Sequence, residues 1–324
     1  MTILVTGSSG YIGSRLAVRL QEEGHSVVGV DREVEGAPET LQRFVHGDLA
    51  DSDVRARALD GVDAIMHLAA AKDDWGIDDD TFLFENLEVT RRLIQDARER
   101  EIYDWVFYSS VAAIGASDKP RTEGSPLQPD GAYGASKAEA EALFRDYANE
   151  VPKLSCVIIR PSVVFGPGHF SYTNVHRLIE AIRGNRFLMV GDGQAIKTTS
   201  YIENVIAATM YLWERRGNDV QTYIYVDEPV RTTEALVEDI YRLLGKRRPG
   251  IRIPLGLAKS IAWVADVAAD WTGINFPITA SRIEKFNTST NYDASAIRED
   301  GFEQPVEIEK ALRKTVNWHL EHVN

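Results

Sequence analysis

The feature that most limits what this chain can fold into is a strand that runs into a glycine turn and out into a helix within its first twenty residues. Ile3-Leu4-Val5 is an unbroken apolar run, Thr6-Gly7-Ser8-Ser9-Gly10-Tyr11-Ile12-Gly13 follows it, and 14–20 has helical spacing. An apolar run without polar alternates marks a strand buried on both faces, as in a parallel sheet. Glycines at 7, 10 and 13 let the backbone turn sharply, admit a pyrophosphate against bare amides, and let the helix pack closely on the strand. The rhythm repeats through Val27-Val28-Gly29-Val30, Ala64-Ile65-Met66, a helical stretch at 81–100, Trp105-Val106-Phe107-Tyr108, a helix at 131–149 and a strand at 154–160. The alternation predicts an α/β fold with a doubly wound parallel sheet.

After Pro161 the rhythm becomes irregular. Helices are expected near 172–184, 203–215, 232–245 and 255–272, with loops around Gly166-Pro167-Gly168 and Gly191-Asp192-Gly193. The reading is a Rossmann domain at 1–165 and a smaller, mostly helical C-terminal substrate lobe at 166–324, interleaved with the last strands of the sheet. At 324 residues the chain is long enough for one large domain or for a large domain with a smaller lobe, and either option can bury a sizeable core. No Pro/Ser linker separates them, so the lobe is expected to pack against the sheet.

A formal charge of -13 argues against a general nucleic-acid or anionic-membrane surface, because both need clustered Lys and Arg. An acidic protein can still hold an anionic small molecule in a local basic pocket. No apolar stretch reaches the ~18 residues of a membrane span, and no basic leader precedes the first strand, so the expected location is cytoplasmic and the expected partner a small molecule. The single cysteine, Cys156, lies in the run Cys156-Val157-Ile158-Ile159 and reads as a small buried hydrophobe. No metal site is expected.

Asp31 falls about 20 residues after the glycine turn, at the end of the second strand. A carboxylate there accepts both ribose hydroxyls of an adenosine and repels a 2′-phosphate, which favours NAD over NADP. Arg32 would either stack on adenine or recruit such a phosphate. Further along, Tyr133-Gly134-Ala135-Ser136-Lys137 sets a phenol and an ammonium four residues apart on one helix face. A nearby cation favours phenolate, so that the tyrosine can exchange a proton with an alcohol or ketone. Ser109 and Ser110 end the strand 105–108, where ligand groups gather in parallel sheets.

Together these motifs resemble the extended short-chain dehydrogenase/reductase family of nucleotide-sugar epimerases, dehydratases and ketoreductases. The likeness is carried by Thr6 to Gly13, Gly47-Asp48-Leu49, His67-Leu68-Ala69-Ala70-Ala71, Asn86, Ser109-Ser110, Tyr133 with Lys137, and 160–168, beginning Arg160-Pro161-Ser162-Val163. The resemblance implies that Tyr133 is the general acid/base, that Lys137 tunes it and holds the nicotinamide ribose, and that Ser110 binds the reacting oxygen. It also implies cofactor contacts from Gly7, Ser9, Gly10, Tyr11, Ile12, Gly13, Asp31, Arg32, Asp48, Leu49, Leu68, Ala69, Ala70, Lys72, Asn86, Ser109, Pro161 and Val163. A homodimer through the helices 81–100 and 131–149 is implied as well.

Within the family, 4,6-dehydratases carry an acidic pair after the catalytic hydroxyl, whereas Val111 and Ala112 stand here. Val163 replaces a common Asn, and Lys197 stands where an Arg meets the pyrophosphate, as a point charge without a bidentate fork. Arg282 is a second candidate phosphate contact or a plain surface arginine. His169, His176 and Tyr201 receive no role. The stretch 253–271 is apolar and helical and resembles the substrate lobes of nucleotide-sugar 4-ketoreductases and of 3β-hydroxysteroid dehydrogenases. The expectation is an NAD-dependent 4-epimerase or 4-ketoreductase of a nucleotide-linked sugar, with Lys197 and Arg282 at its diphosphate. A dehydrogenase of an apolar alcohol and a non-catalytic NAD-binding regulator are the alternatives.

Overall fold

The computed structural model of the protein describes residues 1–72, 78–168, 173–260 and 280–323. A seven-stranded sheet runs in the spatial order Val220–Tyr225, Ser155–Pro161, Asp104–Tyr108, Ala64–His67, Thr2–Thr6, Ser26–Asp31, Arg43–His46. Every neighbouring pair is parallel. The chain moves outward from Thr2–Thr6 and then returns to its other side at Ala64–His67. That reversal opens a crevice at the carboxyl ends of these two strands, where doubly wound sheets bind ligands.

Alternate residues of the strands face two separate cores, which is why their sequences are apolar throughout. Ile3, Val5, Ala64, Met66 and Val106 pack on the face covered by the helices Gly13–Glu22 and Ile202–Glu214. Leu4, Val28, Val30, Ile65, Trp105 and Phe107 pack on the other, under Val89–Glu99 and Gly131–Glu150. Cys156 belongs to this second core, and burial pushes its thiol up.

Several elements were not anticipated from the sequence: the strand Arg43–His46, the helix Ser52–Leu59, the strand Val220–Tyr225 and the helix Ile308–His322. The two strands are the edges of the sheet, and edge strands bury little: only Val45 is buried in the first, and only Ile224 and Tyr225 in the second. The stretch expected at 81–100 is helical but not uniformly so. A π turn over Leu83–Glu88 separates Asp79–Phe82 from Val89–Glu99. Of the helix expected at 255–272, residues 255–260 are helical, and 261–272 lie outside the described residues.

The lobe is stitched to the sheet. A four-stranded sheet joins Arg231–Thr232, Ile196–Lys197 and Thr290–Tyr292 to Ser117–Arg121 from the first half. Asp227 accepts from the Tyr201 amide at 2.5 Å, Asn204 Nδ2 at 2.9 Å and the Tyr225 hydroxyl at 3.1 Å. Burial pushes that carboxyl up to about 6. Among the described residues, no helix is long and apolar enough to cross a membrane.

Candidate active site

The glycine turn is as tight as its sequence requires. Gly7 has φ +68°, and a Cβ on Gly13 would lie 2.1 Å from the Gly7 carbonyl oxygen, so helix and strand cross with no room for a methyl group. The Gly7 amide donates to Val30 at 2.9 Å, which aligns the turn with the end of the second strand. There the Asp31 carboxylate accepts from the amides of Ser9 at 2.9 Å and Glu33 at 3.1 Å. Ser9 Oγ donates to the Glu33 carbonyl at 2.6 Å. Ser9 therefore shapes the rim and does not line the cavity.

Arg32 is committed to acids. Its guanidinium forks onto the two oxygens of Glu85 at 2.8 Å and reaches Asp48 at 3.4 Å. Asp31, Asp48 and Glu85 thus line one end of the cavity together. A 2′-phosphate there would face three carboxylates and have to displace an existing fork, whereas ribose hydroxyls can donate to them. These residues fit NAD.

The next wall is set by an ordered chain of hydrogen bonds. Thr6 Oγ1 accepts from the amides of Leu68 and Ala69, both at 3.0 Å. Its own proton then goes to His67 Nδ1 at 2.7 Å. The other ring nitrogen must carry the imidazole proton, which it donates to Thr90 Oγ1 at 2.9 Å, and Thr90 donates to the Asn86 carbonyl at 2.7 Å. No acceptor is left for a second proton on His67. Burial, with the Lys137 charge adding to it, lowers its pKa to about 3. The histidine is thus a neutral strut that fixes 68–70 against the cavity.

Asn86 continues this frame instead of lining the cavity. Its Oδ1 accepts from the Ala71 amide at 2.7 Å, and its Nδ2 donates to the Ala71 carbonyl and to Ser136 Oγ, both at 3.0 Å. The π turn is what carries it, in keeping with the tendency of such bulges to mark functional sites. Ser136 Oγ in turn donates to the Tyr133 carbonyl at 2.9 Å.

Tyr133 and Lys137 lie on the helix Gly131–Glu150, which presses against the turn after Ser110: a Cβ on Gly134 would come within 2.4 Å of the Ala112 carbonyl oxygen. Lys137 is 3% exposed, donates to the Tyr108 carbonyl at 2.9 Å and sits 5.0 Å from the Phe107 ring centre. Burial brings its pKa down to about 8. Tyr133 meets Phe82 edge-on at 6.1 Å. Ser110 Oγ accepts from the Ala112 amide at 3.1 Å, which directs its lone pair at the backbone and leaves its hydroxyl proton for a ligand.

Ser109 has a different office. Its hydroxyl donates to Glu141 at 2.6 Å, and Glu141 takes the Arg160 fork at 2.8 and 2.6 Å. Against the burial that would raise it, the Arg160 fork holds the Glu141 carboxyl below the usual range. The sequence showed no signal for this pair beyond the arginine before Pro161.

These elements surround a cavity of about 960 Å³, large for a small-molecule site. Gly7, Gly10, Tyr11, Ile12, Gly13, Leu49, Leu68, Ala69, Ala70 and Lys72 line its cofactor side. Ser109, Ser110, Tyr133, Lys137, Pro161 and Val163 line the other. Lys197 is elsewhere: it belongs to the four-stranded sheet, its ammonium donates to the Thr288 carbonyl at 2.6 Å, and burial brings its pKa down to about 8. Arg282 is on the helix Ala280–Asn287, and its side chain lies outside the described residues, as does His169. His176 is buried between the Gly166 carbonyl and His319, and Tyr201 is fully buried; neither lines the cavity.

Arg177 carries no signal in the sequence. It lies in the second turn of the helix Asn174–Arg183, lines the cavity with Thr173 and Asn174, and has no ion pair among the described residues. An arginine on an irregular lobe has no fixed spacing from the glycine turn, so its place on the cavity wall is seen only in the folded chain.

A parallel sheet with a dinucleotide turn at its switch point, and Ser110, Tyr133 and Lys137 across the same cavity, is the layout of a nicotinamide-dependent enzyme acting on a carbon that bears oxygen. The family model described as "NAD dependent epimerase/dehydratase family" matches residues 3–226, and the chain belongs to that family. A curated relative, the N-acetyl-alpha-D-glucosaminyl-diphospho-ditrans,octacis-undecaprenol 4-epimerase of Escherichia coli O157:H7, is 29% identical over 99% of this chain and 96% of its own length. The 2-alkyl-3-oxoalkanoate reductase of Stenotrophomonas maltophilia is 30% identical over 97% of this chain and 98% of its own. Among solved structures, MoeE5 in complex with UDP-glucose and NAD aligns over 100% of both chains with a TM-score of 0.79 at 23% identity, a likeness of fold.

Proposed function

We propose that the protein is a 4-epimerase of a sugar carried on a diphosphate, working with retained NAD. The observation that carries this reading is the convergence on one cavity of the glycine turn, the Ser110, Tyr133 and Lys137 set, and Arg177, a cation with no ion pair among the described residues. Bound along the glycine turn and Asp31, NAD would supply the hydride acceptor and donor for the sugar carbon. Tyr133, as phenolate beside the buried Lys137 ammonium, takes the hydroxyl proton as the carbon–oxygen double bond forms. Ser110 donates to that oxygen throughout and stabilises its developing charge. Inversion would require the 4-keto ring to turn over in the cavity so that its opposite face is presented, after which Tyr133 gives its proton back to the oxygen.

Arg177 replaces Lys197 as the group we assign to the diphosphate, because it is on the cavity wall. Among the described residues, the carboxylates that line the cavity are Asp31, Asp48 and Glu85, at the end where Asp31 closes the second strand. Among the described residues none stands beside Ser110 to serve as the extra acid and base that dehydration requires, which supports epimerisation over 4,6-elimination. The E. coli relative has a polyprenol on the far side of its sugar diphosphate, and a nucleoside is the other carrier this reading admits. Pairing of two copies through the helices around 81–100 and 131–149 is part of the proposal; Leu83 and Phe84 are exposed on the first, at 38% and 41%.

The test is to denature purified protein, quantify released NAD, and follow C4 configuration by NMR for UDP-N-acetylglucosamine and for a short-chain polyprenyl-diphosphate N-acetylglucosamine in separate reactions. Epimerisation of either, with NAD retained near one per chain and no net NADH consumed, supports the reading. Net formation of NADH with a 4-keto product instead assigns the 4-ketoreductase, running in its oxidative direction.

A further inference from the structure

The lobe carries a surface that the cavity chemistry does not use. Two short strands, Met189–Val190 and Arg252–Ile253, pair in parallel with Met189 opposite Arg252 and Val190 opposite Ile253. Side chains two residues apart share a face of a strand, so Leu188 continues the face of Val190 and Ile251 that of Ile253. Val190 and Ile253 are covered by Leu255, Ala258 and Ile283. Leu188 and Ile251, which lead into these two strands, are 49% and 67% exposed among the described residues, and Leu257, two residues after Leu255, is 54% exposed.

The rim of this patch is basic. Residues 246–260 contain Lys246, Arg247, Arg248, Arg252 and Lys259 and no acidic residue, on a chain whose net charge is -13. Arg248 and Arg252 pair with Glu234, Lys259 with Glu284 at 3.6 Å, and Arg186 with Glu180 at 3.1 Å. Arg247 is exposed and has no ion pair among the described residues. The overall charge, which argued against an anionic membrane, does not describe this run. Apolar side chains at the level of basic ones suit a lipid interface, where the apolar tips enter the headgroup region and nearby cations are attracted to an anionic leaflet.

The patch is also joined to the cavity. The helix Asn174–Arg183 has Asn174 and Arg177 on the cavity wall, spans about 15 Å at 1.5 Å per residue, and leads through 184–187 into Leu188. Lys246 holds that end, donating to the Ile182 carbonyl at 3.3 Å and to Asn185 Oδ1 at 2.8 Å.

We propose that Leu188, Ile251 and Leu257, with Arg247 at their rim, seat the protein on an anionic phospholipid surface, so that the diphosphate at Arg177 belongs to a lipid-linked sugar. The docking surface stands on its own observations; the choice of carrier rests on the diphosphate-sugar reading above. The experiment is co-sedimentation of the full chain with vesicles of phosphatidylglycerol and phosphatidylethanolamine, with phosphatidylcholine vesicles as the neutral control, comparing the wild type with the double variant L188E/I251E. Circular dichroism and retained NAD confirm that the variant is folded. The expected result is salt-sensitive binding to the anionic vesicles, reduced at least tenfold in the variant, while turnover of a water-soluble short-chain diphosphate sugar is unchanged. A wild type that stays in the supernatant, or a variant that pellets equally, overturns the docking surface. So does a wild-type oligomer in the absence of vesicles that the variant abolishes, since a second copy then covers the patch. Vesicle binding with no turnover of any diphosphate sugar leaves the surface standing and removes the epimerase reading instead.

Discussion

Asn86 Nδ2 donates to Ser136 Oγ at 3.0 Å, and this contact ties the cofactor wall to the helix that carries Tyr133. The same side chain holds both backbone groups of Ala71. Asn86→Ala leaves those groups buried without partners, at about 1–3 kcal/mol each. The expected outcome is a loss of about 2–4 kcal/mol in urea denaturation, together with a lower kcat and less NAD retained through purification. An equal stability loss with unchanged kinetics would reduce Asn86 to scaffolding.

Tyr133→Phe removes the proton carrier and little else. Turnover is expected to fall by about 10²–10⁴-fold, with NAD still bound after purification. Lys137→Met should lower turnover comparably and move the pH–rate profile toward higher pH, since the cation that favours phenolate is gone. An unaltered profile in that variant would count against the tuning role.

The His67 network makes stability depend on acid. Its folded pKa, about 3, lies below the ordinary 6.5, so between these values the unfolded chain binds the proton and the folded chain does not. The stability is fully present above pH 6.5 and is lost as pH falls toward 3. With 1.36 kcal/mol per pH unit for one proton, about 2 kcal/mol is lost by pH 5. Burial shifts His176 in the same direction, so the measurement is a comparison: His67→Gln should show a shallower fall in urea-denaturation free energy between pH 7 and pH 5 than the wild type. Parallel slopes would refute the assignment.

Gly13→Ala introduces a methyl group 2.1 Å from the Gly7 carbonyl oxygen. The backbone must give way, and the amides that face the pyrophosphate move with it. NAD affinity is expected to fall at least ~100-fold, which is about 2.7 kcal/mol, as read by titration of the nucleotide-free protein. Gly24→Ala, with nothing within 4 Å of its Cβ but φ +84°, is the control for backbone strain away from the site.

What the sequence made legible follows the physics of each signal. Ile3-Leu4-Val5 and Trp105-Val106-Phe107 announce central strands because both faces are buried, whereas Arg43–His46 and Val220–Tyr225 are edge strands with few buried side chains and leave little trace. Tyr133 and Lys137 could be read because four residues on a helix fix their relative placement. Lys197 could not be placed, since whether a lobe residue turns to the cavity or to Thr288 depends on contacts 91 residues away. Arg177 was silent for the same reason. Arg32, left open between adenine and a phosphate, forks onto Glu85, 53 residues on, a partner that no local spacing announces.

The chain of bonds from Thr6 through His67, Thr90 and Asn86 to Ser136, with the Lys137 bond to Tyr108, draws every partner from residues 6–137. Mutations in the lobe can therefore change which molecule is held without loosening the groups that react with it. A lineage built this way can trade ligands by drift in one half of its gene while selection keeps the other half fixed. Full-length relatives named for a lipid-linked sugar and for an oxoalkanoate are the divergence that such a partition permits.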